Sequence, residues 1–503
     1  VRITIDARLQ KGIIKAFDEV KIYDNEGNTE IARQLHGAVV VIDVPSGEVL
    51  ALVSAPTYDP NQLDDIFAQL ADDDLNHPLL NRATMAQLEP GSTMKPIVGL
   101  GGIHYGVIRT DTGIECTGYM VRPNGKPYPR GRCWVASKFE GKIPSVAHHP
   151  IPIPHPTGFL TFSDALERSC NVFFETVADR LGLDRLSEWD EQFGFGRITG
   201  LGIGEARGRL PDSFNGPALE LRQKTWFSGI GQSPVAATPI QMANAAATLA
   251  RGGEWLRPRL ISEADAKRLG ITLPALKGAP RKNPEQDDDD PAVAAAPVDR
   301  IFPEHYDLGL SPESKSAVRD GMTRVVYGDA GTGKGVVRDV VPNGQGRGRL
   351  TRVVGLEGIP ICAKTGTAQA PQFQIKERDP VTGKVLVDEQ GRMKMRALEP
   401  YMGPSQPGEP PHIAPWYRGG GKDGRELAHA WYIGFAPADN PKVAFAVMVE
   451  YGGSGGSAAA AIARETLLAC VEHGYLKGSA PAVPAEKHKE ARSRELLQDV
   501  AGR

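Results

Sequence analysis

Hydrophobic positions in this chain fall into a few short apolar runs at its two ends and longer helical periodicities between them. Val1-Arg-Ile-Thr-Ile-Asp alternates like a strand, and Leu9-Gln-Lys-Gly-Ile-Ile-Lys-Ala-Phe17 then repeats at helical spacing. Gly37-Ala-Val-Val-Val-Ile-Asp43 and Glu48-Val-Leu-Ala-Leu-Val-Ser54 are apolar runs joined by Val44-Pro-Ser-Gly47, which predicts a hairpin and so an antiparallel pair. Far downstream, Ala428–Phe435 and Lys442–Glu450 flank the turn Pro437–Pro441 and predict a second hairpin, with a closing helix over Ala458–Cys470. Gly358-Ile-Pro-Ile-Cys-Ala-Lys364-Thr365-Gly366-Thr367-Ala368-Gln369 reads as one more strand, with a lysine, two hydroxyls and a glycine at one end. The middle is largely helical, including Phe159–Leu181 and an N-capped helix opening at Thr238-Pro239. Two strands from the start and three from the end make an α+β layout with antiparallel pairs.

Two stretches break these patterns. About 256–303 contains Lys282-Asn-Pro-Glu-Gln-Asp-Asp-Asp-Asp-Pro and an Ala/Pro run, too acidic and too poor in large apolar residues to pack at its centre. About 373–427 is a second excursion crowded with Gly, Pro and charge, and 479–503 is a charged tail. The expected organisation is one domain over 1–478 with two solvated insertions, then the tail. With 503 residues, 57 Gly, 40 Pro and a net charge of −3, the chain reads as a globular protein with many loops and gives no case for nucleic-acid binding. No run of about 18 apolar residues is present to span a membrane. Opening on Val1 with neither Met nor leader is what a piece of a longer protein would show, any anchor lying upstream.

The stretch that carries chemistry is Glu89-Pro90-Gly91-Ser92-Thr93-Met94-Lys95-Pro96. Pro90-Gly91 marks a turn, and Pro96 is tolerated only near a helix start, so a helix is expected from about Ser92. Ser92 and Lys95 then share one face of the first turn. An ammonium is disfavoured at the positive end of a helix dipole, and burial disfavours it further. A lysine that sheds its proton easily can take one from a neighbouring hydroxyl, making Ser92 a candidate nucleophile, Lys95 its base, and a neutral Lys95 the expected resting state. Alone, the pair reads first as an ordinary N-cap serine beside a surface lysine.

Other motifs carry less. Cys116 and Cys133 lie in a loop-like region with His148, His149 and His155, leaving zinc, a Cys116–Cys133 disulfide or free thiols open. Gly328-Asp-Ala-Gly-Thr-Gly-Lys334-Gly335 nearly spells a P-loop, but its last position needs Ser or Thr, and a helix rather than a strand precedes it. Gly452-Gly-Ser454-Gly-Gly456 fits a nucleophile elbow, yet too little chain follows to supply an acid and then a histidine.

Ser92-x-x-Lys95, then Ser169-x-Asn171, then Lys364-Thr365-Gly366 is the ordered three-motif pattern of penicilloyl serine transferases. Leu79-Leu-Asn-Arg-Ala83, Gly229-Ile-Gly-Gln232, Lys364-Thr-Gly-Thr-Ala-Gln369 and Ile433-Gly-Phe-Ala-Pro-Ala-Asp-Asn440 accompany it. Together they closely resemble the transpeptidase domain of class B penicillin-binding proteins, in particular the elongation-specific members. The resemblance covers roughly Val1 to Leu476 outside the two insertions. It implies the penicillin-binding/β-lactamase-like transpeptidase fold, a five-stranded antiparallel sheet flanked by helices beside an all-helical subdomain.

It also implies roles. Ser92 attacks the penultimate D-alanine carbonyl of a peptidoglycan stem peptide, Lys95 is the base, Ser169 relays protons and Asn171 holds the substrate amide. Lys364, Thr365 and Thr367 hold the terminal carboxylate, and Gly366 leaves room for substrate along the strand edge. The backbone N–H groups of Ser92 and Thr367 form the oxyanion hole. No cofactor is required and no metal is assigned. The implied partners are stem peptides ending in D-Ala-D-Ala, β-lactams and a membrane glycosyltransferase of the elongation complex. The implied location is the periplasmic face of the cytoplasmic membrane, through an N-terminal anchor that this chain lacks together with most of the family's pedestal. A D,D-carboxypeptidase or β-lactamase of the same fold, or a non-catalytic β-lactam-binding sensor, is the alternative. One departure is Thr157-Gly158 where related elongation proteins carry His-Gly, with His155 two residues earlier, which weakens transfer of a metal site involving Cys170.

Overall fold

The computed structural model describes residues 2–20, 34–122, 124–134, 159–211, 216–278, 301–334, 336–338, 350–352, 356, 358–401, 413–419 and 426–477. The elements that frame the site are, in chain order, α1 (Ala7–Glu19), β1 (Gly37–Asp43), β2 (Val49–Ala55), α2 (Lys95–His104), α3 (Phe162–Arg168), α4 (Asn171–Leu181), α5 (Ala218–Gly229), α6 (Pro239–Ala250), α7 (Pro312–Tyr327), β3 (Cys362–Gln369), β4 (Ala428–Ala436), β5 (Val443–Val449) and α8 (Ala460–Glu472). The five strands form one sheet in the order β3-β4-β5-β1-β2, every neighbouring pair antiparallel. Both expected hairpins are present, and β3 is the edge strand next to β4.

The runs in β1 and β5 are continuous rather than alternating because both sheet faces are covered. Ala38, Val40 and Ile42 pack into one apolar cluster with Trp431, Ile433 and α6, while Val39 and Val41 point into another with α1 and α8. Alternate residues of a strand point to opposite faces, so a strand between two helical layers needs apolar residues at every position. Helix α6 lies wholly within the core, every residue buried, and its Thr238/Gln241 capping box satisfies both ends of its first turn. Helix α1 starts at Asp6, whose side chain accepts from the Arg8 N–H, and buries Leu9, Ile13, Ala16 and Phe17.

The two insertions differ from expectation in what their described parts do. Residues 279–300, the acidic centre of the first, lie outside the described residues, but on either side Leu276 and Phe302 pack with Trp255. In the second, Gln374–Lys376 pairs with Met395–Ala397, and Ile375, Leu398, Trp416 and Tyr417 close an aromatic cluster on Tyr451. Lys376 and Arg378 tie this ribbon to Asp74 and Asp72, both at 2.6 Å. It is therefore packed against the domain, since a few well-spaced aromatics outweigh a Gly/Pro/charge-rich composition. The charged tail lies outside the described residues. Among the described residues no helix is long and apolar enough to cross a membrane.

Candidate active site

Ser92 sits in a single 3-10 turn, Gly91–Met94, and Lys95 opens α2 with Pro96 in its first turn, as the proline pattern predicts. The turn is wedged against the end of the sheet. The Trp431 indole N–H donates to the Glu89 carbonyl at 3.0 Å, and a Cβ on Gly366 would lie 2.6 Å from the Pro90 carbonyl oxygen. Gly366 thus makes room for the nucleophile turn, not for substrate as expected from sequence: a side chain there would push the serine off the strand.

The three motifs converge. Lys95 Nζ donates to the Ser169 carbonyl (2.7 Å), Ser169 Oγ (3.2 Å) and Asn171 Oδ1 (2.7 Å). Lys364 Nζ donates to the same Ser169 Oγ (2.9 Å) and to the Thr365 carbonyl (3.1 Å). Ser169 holds this position by terminating α3 in the left-handed region, φ +53°, a conformation unfavourable for serine and typical of residues whose placement matters. Cys170 then caps α4, which begins at Asn171, and the Asn171 amide donates to the Arg132 carbonyl at 3.0 Å. Thr365 is buried with its hydroxyl 2.9 Å from that of Thr332, whereas Thr367 is exposed and its Oγ1 accepts from the Gly455 N–H at 3.4 Å. The elements that carry the eight residues named from sequence meet where the edge strand packs on the serine turn and on the α3–α4 break.

The electrostatics correct one expectation. Burial lowers the Lys95 amine to about 8. That is the expected direction, but it leaves the ammonium as the main form at neutral pH. Three acceptors around one amine suit a cation, and all three belong to Ser169 and Asn171 rather than to Ser92. Lys364, equally buried, is pushed well below its ordinary value by burial first and by the Lys95 charge second. Two buried amines on either side of Ser169 Oγ thus each disfavour the other's charge.

Sequence reasoning missed three features. Glu175, one turn beyond Asn171, is 1% exposed, its oxygens have no hydrogen-bond partner among the described residues, and burial raises it to about 8. Glu167, buried just before Ser169, accepts from Arg324 (3.0 Å) and from the Ala330 N–H (2.9 Å). It thereby joins α3 to the loop that resembled a P-loop, and that loop's Thr332 reaches Thr365. The glycine-rich 452–456 turn likewise has a structural use: a Cβ on Gly455 would lie 2.4 Å from the Gly366 carbonyl oxygen. The two loops were visible in the sequence only as motifs of other chemistries, and Glu175 lies in no motif at all.

The cysteines whose state the sequence left open form a thiol cluster. Cys116, Cys133 and Cys170 are free and buried, with their sulfurs all within 4.8 Å of one another. The Cys133 thiol beside it and then burial push Cys116 up to about 12, and burial raises Cys170. Of the readings left open, the disulfide is not formed. Three convergent sulfurs suit a soft divalent ion such as Zn(II), bound as thiolates at about 2.3 Å. His148, His149 and His155 lie outside the described residues.

The penicillin binding protein transpeptidase domain matches residues 37–138, 145–374 and 415–468 of the chain. Peptidoglycan D,D-transpeptidase MrdA of Acinetobacter baumannii is 28% identical over 437 residues, covering 84% of this chain and 49% of the relative. The chain spans about half the length of the curated MrdA proteins it matches. Among solved structures, PBP2 of Pseudomonas aeruginosa in complex with WCK 5153 is 27% identical with a TM-score of 0.60, covering 96% of this chain and 78% of that one. The ceftriaxone acyl-enzyme complex of penicillin-binding protein A from M. tuberculosis shares the fold at 23% identity, with a TM-score of 0.57 and coverage of 93% and 79%. On its matched residues, its sheet and its three converging motifs, the chain belongs to the penicillin binding protein transpeptidase domain family.

Proposed function

We propose that the chain is a serine-type peptidoglycan D,D-transpeptidase and a target of β-lactams. The observation that carries this is the convergence of two buried lysine amines, from elements far apart in sequence, on Ser169 Oγ beside the Ser92 turn. In this reading the Lys95 amine, once neutral, takes the Ser92 proton as Oγ attacks the penultimate D-alanine carbonyl. The C–N bond breaks, Ser169 hands a proton to the leaving amine, and the terminal D-alanine departs. An amine of a neighbouring stem peptide then attacks the ester, forming the cross-link and returning the proton to Ser92. Lys364, Thr365 and Thr367 hold the terminal carboxylate through charge-assisted hydrogen bonds, and Asn171 holds the substrate amide. Thr367 lies on the open edge of the sheet, where its N–H can stabilise the oxyanion together with that of Ser92. The chemistry needs no cofactor.

The proposed partners are stem peptides ending in D-Ala-D-Ala and, as the sequence resemblance implies, a membrane glycosyltransferase of the elongation complex. The place of action is the periplasmic face of the cytoplasmic membrane. Intact mass after incubation with a penicillin tests the core of the proposal. The wild type gains one penicilloyl group and Ser92→Ala gains none. No adduct on the wild type, or an equal adduct on the variant, refutes it. Rapid loss of the adduct to water favours the carboxypeptidase or β-lactamase alternative, and a permanent adduct without amine transfer favours the sensor.

A further inference from the structure

We propose that Gln232 is a positioning residue that bolts β3 to the nucleophile turn and so sets the geometry of the two backbone donors facing the acyl oxygen. The inference deepens the transpeptidase reading and rests on it.

The bolt has two arms. At the nucleophile, the Gly91 N–H donates to the Gly231 carbonyl at 2.7 Å. The two backbones touch: Gly231 has φ +70°, and a Cβ on it would lie 2.1 Å from the Gly91 carbonyl oxygen, so this contact is open to glycine alone. At the strand, the next residue, Gln232, donates from Nε2 to the Thr367 carbonyl at 3.1 Å and accepts from the Gln369 N–H through Oε1 at 3.4 Å. A carboxamide carries one donor face and one acceptor face, as a peptide unit does. On the open edge of β3 it therefore pairs as a single residue of an additional strand would.

Two consequences follow from that placement. In an antiparallel strand the N–H and C=O of one residue point to the same side. By holding the Thr367 carbonyl, Gln232 fixes the direction of the Thr367 N–H, while Gly231 fixes the turn that carries the Ser92 N–H. The segment itself is anchored, since the Gln232 N–H donates to the Phe227 carbonyl of α5 at 2.9 Å. Gln232 also closes the strand edge at Thr367 and Gln369. A peptide donor adding to β3 can extend its pairing only over Thr365 and the free side of Thr367.

The test separates binding from chemistry. Stopped-flow acylation by a fluorescent penicillin yields the non-covalent Kd and the acylation rate constant for wild type, Gln232→Ala and Gln232→Glu. The glutamate keeps the acceptor for Gln369 but turns a carboxylate oxygen toward the Thr367 carbonyl. The expected result is an acylation constant reduced about 10-fold in the alanine variant and further in the glutamate. This falls short of the 10²–10³ typical of deleting an oxyanion donor outright. Kd should stay within about twofold and Tm within about 3 °C. Acylation constants equal to wild type, a loss confined to Kd, or unfolding of both variants would each overturn the proposal. If the wild type is not acylated at all, the transpeptidase reading fails instead, whatever the Gln232 variants do.

Discussion

The protonation state of Lys95 yields the sharpest quantitative prediction. Its amine is fully buried and lowered from 10.5 to about 8 by that burial. The base is the neutral amine, so a lowered value means that activity rises with pH through the folded-state value and is lost below it. With a midpoint about 8, roughly one molecule in ten is competent at pH 7 and roughly nine in ten at pH 9. Acylation of Ser92, followed as kcat/KM-type second-order rate constants with a fluorescent penicillin, should therefore rise about tenfold between those pH values. The groups that face Lys95 are Glu175, Cys116, Cys133, Cys170 and Lys364. Glu175, raised to about 8, develops its charge in the same range and so holds the Lys95 value up, whereas the Cys116 and Cys170 thiols are raised out of it. Glu175→Gln removes one of these acidic groups, so the midpoint should move to lower pH. A flat profile from pH 7 to 9 would show that the buried ammonium is not the resting state, and a midpoint close to 10.5 would show that burial does not lower the amine; either result refutes the reasoning.

Three further outcomes are expected. Gly366→Ala places a Cβ 2.6 Å from the Pro90 oxygen and must displace the serine turn; acylation should fall about 10²-fold with the sheet intact by circular dichroism. Trp431→Ala empties a fully buried indole site and strands the Glu89 carbonyl, at a cost of about 3–5 kcal/mol in urea unfolding. If the thiol cluster binds zinc, elemental analysis should find about one Zn(II) per chain, released by chelator more readily from Cys133→Ser than from wild type; metal-free protein with titratable thiols would exclude it.

How far these features could be read beforehand depended on whether their signal was local. The hairpins at Val44–Gly47 and Pro437–Pro441 announce themselves because turn residues interrupt apolar runs, and Pro96 dates the start of α2 to within a turn. Seven of the eight proposed site residues were accessible as an ordered set of three motifs, and Thr367 directly follows the last. What stayed hidden is tertiary. Cys170 joins Cys116 and Cys133 only when the α3–α4 break is folded against the preceding loop. Gly366 looked like an opening for ligand because nothing in a strand says which backbone will approach it. The ribbon following β3 was masked by its composition, its aromatics lying too far apart in sequence to form a pattern. The neutral lysine expected from helix-end chemistry failed for a related reason: its three acceptors come from another helix pair.

The central pairing of β1 with β5 sets Val41 opposite Phe445, roughly 400 residues apart in sequence. Contacts of such separation must close a loop of about 400 residues before any sheet energy is returned, and that closure entropy grows with loop length. During synthesis the hairpin β1–β2 and the helical middle emerge long before their partners. Until about residue 450 has left the ribosome, the apolar rows of β1 have no β5 to pair with and present a bare strand edge. The serine turn, wedged against β3 and β4, is therefore assembled last: nascent chains cut before β4 should neither bind penicillin nor stay soluble without help.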